Sequence, residues 1–417
     1  MKQLRAKLRQ NIVFLIFILL GMLCILFGKQ SPAYIVGELV SRFSRNAISI
    51  LSLIVPVLCG MGLNFGIVLG AMAGELGIIL ALHWEIDGVG GILLAMLLGS
   101  LFSTIFGYLT GRLYNKTKGQ ETLTGMILGY FAFGLFNLIL INLVGTVIPF
   151  KDDVLMLSGG VGLRDTISLA GLSSAFDDVC KITLYQMVQI IGYASLGLAI
   201  MAAIRNVIKK QPVVKVLKRV LPMLISDAVC VILLSLTGVK EIKAALKFTR
   251  VPVLTWVLIL FVALLTAYIT NTRWGQKVRT IGQNRKVATA SGIHVNKIRI
   301  EAVIVSTIIA SWGQIISLQN LGTMNTYTAH EMVGTYAVAA LLVGGATLNK
   351  ATIGQALVGC LLFHLLFFMA PIAARNLFQD AMIGEYFRMF LSYGIIVLSL
   401  VLYAWNRKTD PKIRRRA

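Results

Sequence analysis

Three acids stand where acids are rare. Glu75, Asp227 and Glu301 fall within or beside long apolar runs. A carboxyl at membrane depth is costly, and it is kept for a task or for a partner. Glu75 ends a stretch rich in small residues, GMGLNFGIVLGAMAGELG, Gly60 to Gly77. Asn64 lies in the same stretch, and Gln314, Gln319 and Asn320 close a later apolar run. These five polar side chains are candidates to line a solute pathway; helix capping or interhelical hydrogen bonding explains them equally simply. His330 and Glu331 are neighbours, a pattern read here as an interfacial pair rather than a catalytic one. The other histidines, His83, His294 and His364, are scattered. There is no HExxH zinc motif, no GxSxG elbow and no GxxxxGK[ST] phosphate loop. The five cysteines have no CxxC spacing. No catalytic, cofactor-binding or metal site is therefore expected in this chain, and ATP, if it drives anything, must be bound by another subunit.

The surroundings of these groups explain why they stand out. The chain has 417 residues, 57% hydrophobic and 13% charged, with mean hydropathy +0.82. A soluble domain carries roughly twice that charged fraction. Runs of about 20 apolar residues recur, the length that crosses a bilayer as helix. A transmembrane β-barrel would instead show ~10-residue alternating segments. The expectation is an all-α integral membrane protein, a polytopic bundle of about 10–12 transmembrane helices in a cell (cytoplasmic) membrane. The net charge of +22 could suggest nucleic acid, but its placement follows the positive-inside rule. With the N-terminus inside, most of the 39 Lys and Arg fall on inner segments. They occur before Asn11, at Arg112–Lys118, Arg205–Arg219 and Thr272–Arg299, and in the tail from Arg407. No nucleic acid partner is expected; the partner of the bulk surface is membrane lipid.

Residues 1–10 read as a cytoplasmic N-terminus, 11–405 as a transmembrane domain, and 406–417 as a basic cytoplasmic tail. The first span, Asn11–Phe27, lacks a clean cleavage site and is taken as retained. Spans follow at Ile48–Leu63, Ile67–Leu82, Gly91–Tyr108, Leu123–Ile148, Leu184–Ile204, Leu221–Leu236, Val253–Asn271, Glu301–Leu318, Met332–Gly344, Ile353–Ala370 and Phe387–Trp405. Gly66, Gly70 and Gly74 recur every four residues and so share one helix face, which permits close helix packing. Pro56 predicts a kink in the second span. Pro149–Thr183 is the longest outer loop and the most acidic; adjacent Asp177 and Asp178 hint at calcium only weakly. Val239–Arg250 reads as a short amphipathic helix whose lysines sit outside, against the charge rule. The helix count over 205–250 is the weakest part of the topology.

One polar island breaks the apolar pattern: Thr272 to Arg299, TRWGQKVRTIGQNRKVATASGIHVNKIR, with seven basic residues and no acid. Asn284 to Gly292 reads as a short helix with Asn284 as N-cap and Gly292 as its stop. A short exposed helix between two spans has no core of its own to fill. It is read as a surface that another protein touches, with Ala288 and Ala290 keeping its contact face flat. Further on, Gly344–Gly359, GGATLNKATIGQALVG, reads as a compact helix–turn–helix.

Taken in order, the small-residue stretch, the segment Thr272–Ile293, the Gly344–Gly359 hairpin and the many spans resemble the permease subunits of ATP-binding cassette (ABC) importers. The family meant is that for simple sugars, nucleosides and related solutes, with relatives for branched-chain amino acids. The family's pattern T..G...R..G.N...A...GI is met by Thr272, Gly275, Arg279, Gly282, Asn284, Ala288, Gly292 and Ile293. The resemblance covers about Ile48 to Trp405. It departs from the sugar-type members, which carry Gly-Gly-x-Asp-Leu-Ser after the second span. This chain has Gly62-Leu63-Asn64-Phe65-Gly66, closer to the nucleoside type, and an apparent insertion at about Arg205–Arg250. The resemblance implies a transport subunit without its own ATPase site, driven through the coupling segment 272–299. It also implies two ATPase subunits, a second permease chain (identical or homologous) and an extracytoplasmic solute-binding protein. The competing expectation is a stand-alone secondary transporter or channel that couples to ions through Glu75, Asp227 and Glu301.

Overall fold

The structure is a computed structural model that describes residues 12–148, 155–157, 159–208, 213–235, 238–380, 382–390, 393–394, 396–397 and 401. The N-terminal ten residues and the basic tail of the expected topology lie outside these. The chain divides into two compact units: Met1–Lys29, Arg42–Asp178 and Leu254–Ala417 form the first, Gln30–Ser41 and Val179–Val253 the second. Among the described residues, six helices are long and apolar enough to cross a membrane by length and composition: Gly88–Lys116, Glu121–Leu143, Leu184–Arg205, Val253–Asn271, Val295–Leu321 and Ile353–Phe378. Phe14–Gly28, Ile67–His83, Leu224–Ser235 and Val333–Val343 are shorter apolar helices. The chain is an all-α, multi-pass membrane protein.

The centre of the first unit is a three-helix packing of α4 (Ile67–His83), α5 (Gly88–Lys116) and α13 (Val295–Leu321). Small residues allow it. Gly70 lies against Thr307 and Ala310 of α13, and a methyl group at Gly74 would stand 2.7 Å from Ser311 O. Gly107 and Gly111 of α5 bring its backbone against Ile304 and Ile300 of α13. Lipid offers no hydrophobic drive between helices, so this contact area and its hydrogen bonds supply the cohesion. Gly70 and Gly74 of the four-residue glycine repeat are therefore the surface on which α13 rests, while Gly66 lies against Tyr114 and Thr110 of α5.

The second span differs from its expected course. α2 (Pro32–Leu51) begins well before Ile48, breaks at Ser52–Leu53, and resumes as α3 (Ile54–Leu58), which contains Pro56. Broken helices survive in a bilayer only where protein satisfies the freed backbone groups. Here the Ser306 hydroxyl of α13 donates to Ser52 O at 2.8 Å. Gly60 and Gly62, with φ of +71° and +70°, then turn the chain into α4; L side chains rarely adopt this conformation.

α1 (Ile12–Gly28) packs along α15 (Ile353–Phe378), and Asn376 donates to Gly28 O at 2.9 Å. α14 (Val333–Val343) and α15 meet through Gly344 and Gly359, each set against the other helix's backbone. Gln355 completes a capping box with Thr352 and donates to Gly345 O at 2.8 Å, so the expected hairpin is present. α6 (Glu121–Leu138) widens into a π-helical turn, Ile139–Leu143. Beyond it, β1 (Thr166–Ser168) pairs antiparallel with β4 (Thr323–Asn325). Leu163, Ile167, Leu169, Leu172 and Phe176 are buried, so the acidic loop is largely packed rather than merely solvated. Asp177 accepts from Thr255 Oγ1 at 2.6 Å and from the Asn320 amide. Tyr327 donates to Leu163 O; burial, then the nearby Asp165 carboxyl, push its phenol up from the ordinary range.

In the second unit, α7 (Leu184–Ile208) and α8 (Val213–Ser235) form a hairpin, and β2 (Lys181–Thr183) pairs with β3 (Arg250–Pro252). α9 (Lys240–Phe248) is the amphipathic helix read from the sequence, burying Ala245 and Leu246. Val188, Cys230 and Leu246 make its small core. Ser195 donates to Asp227 across the hairpin.

Candidate functional site: a neutral cavity and an anchored basic segment

A cavity of about 370 Å³ opens in the first unit. Its polar lining comprises Asn46, Ser49, Gln314, Ser317, Thr323, Asn325, Tyr336 and His364; its apolar lining includes Ile50, Leu318, Leu321, Met332 and Val333. Among the described residues, none that lines it is Asp, Glu, Lys or Arg. That volume is in the range of small-molecule sites, roughly 300–1,000 Å³. Asn46 donates to Arg42 O at 2.9 Å. His364 is 95% buried, and its Nδ1 has no hydrogen-bond partner among the described residues. Its ring meets Phe363 and Phe367 edge-on.

Behind the cavity lies a buried chain of polar groups. Gln314 Nε2 donates to Glu75 Oε1 at 2.9 Å and to Ala329 O at 3.1 Å. The other Glu75 oxygen lies 2.8 Å from His330 Nδ1. Glu75 and His330 are both fully buried, and the His330 ring packs against Phe133 and Phe136. This corrects the sequence reading of His330. It does not pair with the adjacent Glu331, which is exposed. The turn before α14 directs His330 inward, to a carboxylate 255 residues away in sequence, a partner that no local pattern announces.

The remaining pathway candidates sit elsewhere. Asn64 is buried at the helix break, where its Oδ1 accepts from Tyr114 Oη at 2.8 Å and from Gly66 N at 3.0 Å. Its Nδ2 donates to Ser306 at 3.3 Å. Gln319 accepts from Phe176 N at 3.3 Å, and Asn320 holds Asp177. Among the five, only Gln314 lines the cavity. The three acids offered for ion coupling each have hydrogen-bond partners within the fold: Glu75 as above, Asp227 with Ser195, and Glu301 with Trp274 Nε1 at 2.7 Å.

The basic island folds as two helices. α11 (Arg273–Gln283) is capped by Thr272, whose hydroxyl accepts from Gly275 N. α12 (Arg285–Ala290) is capped by Asn284, which accepts from Lys286 N at 3.0 Å and Val287 N at 3.2 Å. Gly292, at φ +74°, follows it. Val278, Ile281 and Ala288 are buried with Val55, Cys59, Met61, Tyr114, Ile298 and Ala302. Gly282 lies directly on the backbone of Leu58 and Gly60. Arg279, Lys286, Val287, Thr289 and Ala290 are exposed. Ala288 is thus not on the outward face; it was expected there with Ala290, but helical spacing turns it into the chain's own core.

Glu121 fastens the segment. Its Oε1 takes Arg285 Nη2 and Arg299 Nη2, each at 2.6 Å, and its Oε2 accepts from Gly119 N at 2.8 Å. Arg299 is fully buried and also donates to Tyr114 O at 3.0 Å; Arg285 reaches Gly60 O at 3.3 Å. Two of the seven basic residues are therefore internal struts, which counting positive charge by loops could not separate from topology signals.

A multi-helix membrane bundle with a cavity of neutral polar and apolar lining and a basic segment fastened from within is the architecture of a membrane transport subunit. The profile of the family described as branched-chain amino acid transport system / permease component matches residues 33–400, and the chain belongs to that family. Similar curated proteins are the ribose import permease proteins RbsC of Escherichia coli K12, O6:H1 and O157:H7. Each is 23% identical over 280 residues, covering 64% of this chain and 84% of the relative. No solved structure matches.

Proposed function

We propose that this chain is the membrane-spanning subunit of an ABC importer for a small neutral polar solute, a simple sugar or a nucleoside. ATPase subunits dock on the segment 272–299, and both termini are cytoplasmic. A second permease chain completes the translocation unit, and an extracytoplasmic binding protein delivers the solute. The observation that carries the solute reading is the cavity lining, which offers amide, hydroxyl and imidazole groups beside apolar walls and, among the described residues, no Asp, Glu, Lys or Arg. A charged solute crossing low-dielectric surroundings would need a counter-charge there. The similarity to ribose import permeases agrees with a sugar. The departure at Gly62–Gly66 leans toward a nucleoside.

The coupling reading rests on the two faces of α12. Its underside is fixed by Ala288 and Glu121, so force on the outer face passes to α13 and to the α3–α4 turn without local yielding. The contact is of the helix-in-groove kind. Ala288→Trp cannot test it, because a large side chain at that buried position also breaks the fold. Val287, 53% exposed, can. Val287→Asp is expected to abolish solute-stimulated ATP hydrolysis in the assembled complex while thermal stability stays within about 0.5 kcal/mol. Full coupled hydrolysis in that variant would sink the docking assignment.

A further inference from the structure

Gln314 has one amide nitrogen with two hydrogens, and the fold engages both. One points to Glu75 Oε1 at 2.9 Å, the other to Ala329 O at 3.1 Å. Both neighbours accept. A flipped amide would set oxygen against two oxygens and lose both hydrogen bonds, so the neighbours dictate the orientation. Glu75 keeps an accepting oxygen toward Gln314 whether the proton of the Glu75–His330 contact sits on His330 Nδ1 or on the other carboxyl oxygen. The consequence falls on the cavity wall, where Gln314 is a lining residue. The chain gives its Oε1 no partner among the described residues.

We infer that Glu75, held by His330, is a positioning residue that makes Gln314 an acceptor-only contact in the cavity. Gln314 thereby selects solutes that present an O–H or N–H donor at one fixed point. Asn46 and Ser49 do not impose this restriction. Asn46 engages one of its amide hydrogens with Arg42 O, and a serine hydroxyl donates or accepts as required. Asn325 is oriented too, but its Oδ1 already accepts from Tyr327 N and Thr328 N while its Nδ2 donates to Asp165. Of the two amides with fixed polarity, Gln314 is therefore the one whose oxygen faces the cavity without a partner among the described residues. A buried acceptor left without a donor is a penalty, which is why such a contact discriminates strongly against an analogue lacking the hydroxyl. The ligand class is a neutral polyol or an N–H-bearing heterocycle, and the excluded class is the same scaffold with that position deoxygenated or methylated. This rests on the proposed solute reading and adds to it which atom is read.

The test uses the complete transporter in proteoliposomes, supplied with its binding protein. The probes are ribose, uridine, their singly deoxygenated analogues and N3-methyluridine. Selection by the binding protein sets the half-saturating concentration, so the cavity contact appears in the maximal rate. One analogue of the transported parent is expected to run roughly five- to tenfold slower than the parent, the loss of one buried hydrogen bond. Gln314→Met should bring the parent down to that analogue's rate and leave the analogue unchanged. Glu75→Gln keeps an acceptor toward Gln314 and should retain the wild-type ratio; Glu75→Met should lose it. If Glu75→Met does not fold, the Gln314→Met comparison decides. An equal slowing of parent and all analogues by Gln314→Met, or an unaltered ratio, overturns the inference while the solute reading stands. A wild-type complex that moves neither ribose nor uridine overturns the solute reading, and the inference with it.

Discussion

Glu121 and Glu75 are both buried carboxylates of the first unit, and they are satisfied in opposite ways. Glu121 holds two guanidinium groups on one oxygen, those of Arg285 and Arg299. Arginine is charged at every pH a cell meets, so this junction is permanent. It gathers α12, α13, the α3–α4 turn and, through Arg299, the end of α5. Glu75 has no arginine. It takes one histidine and one amide and is shielded by Phe133 and Phe136 around that histidine. The first arrangement fixes pieces of backbone to one another. The second fixes one side chain at a cavity wall. The first uses two full charges on one carboxylate oxygen; the second turns a neutral amide toward the cavity, a division that fits the proposed roles of coupling and solute contact.

The contrast breaks if the two sites respond alike to loss of a partner. The largest effect is expected for Arg299→Met, which leaves Glu121 buried against Arg285 alone. Breaking such a pair costs about 3–5 kcal/mol, and folded protein should be largely lost on size-exclusion after detergent extraction. A variant with wild-type yield and melting temperature would show the junction to be dispensable. Next is Gly282→Ala. The new methyl strikes Leu58 O and stands 3.1 Å from Gly60 N. Overpacking of this kind costs about 1–3 kcal/mol, read as a lower melting temperature. Asn64→Ala follows: it removes the acceptor of Tyr114 Oη and Gly66 N at about 1–2 kcal/mol. Solute-stimulated ATP hydrolysis should fall with it if the helix break moves during transport. Gln314→Met leaves Glu75 Oε1 and Ala329 O without their donor, at about 1–3 kcal/mol, and is told apart by its effect on solute choice. Val287→Asp completes the series at the small end in stability, with its effect confined to coupling. A melting temperature lowered by either as far as by Arg299→Met would erase the distinction between strut and reader.

Much of the fold was legible because the bilayer restricts the vocabulary. Most apolar runs of spanning length, the close packing at Gly70 and Gly74, the Asn284 cap and the Gly344–Gly359 hairpin are local signals that appear where their spacing places them, while much of the expected span Phe387–Trp405 lies outside the described residues. α2 was misread because it carries Glu38, Arg42 and Arg45 before Ile48; hydropathy counts those charges as solvent. Partners distant in sequence were not legible. Glu121 is the first acid after a basic loop, an unremarkable position, and Arg299 stands 178 residues away. His330 beside Glu331 invited a local pairing that three-dimensional packing overrode. Asn46, Tyr336 and His364 meet at the cavity from separate helices, and nothing in their own neighbourhoods marks them. The single useful sign was chemical: a lone carboxyl among glycines, Glu75, needed a partner.

The contact of Gly282 with Gly60 has a genetic consequence. Most packing conflicts can be relieved by a second mutation that trims the opposing side chain. Here neither residue has a side chain to trim, and the opposing atoms are backbone. A selection for suppressors of Gly282→Ala should therefore return true revertants, or changes that reshape the turn from Leu58 to Gly62, and no reciprocal size exchange. The two positions form an irreducible pair, able to drift only if the loop between them is rebuilt.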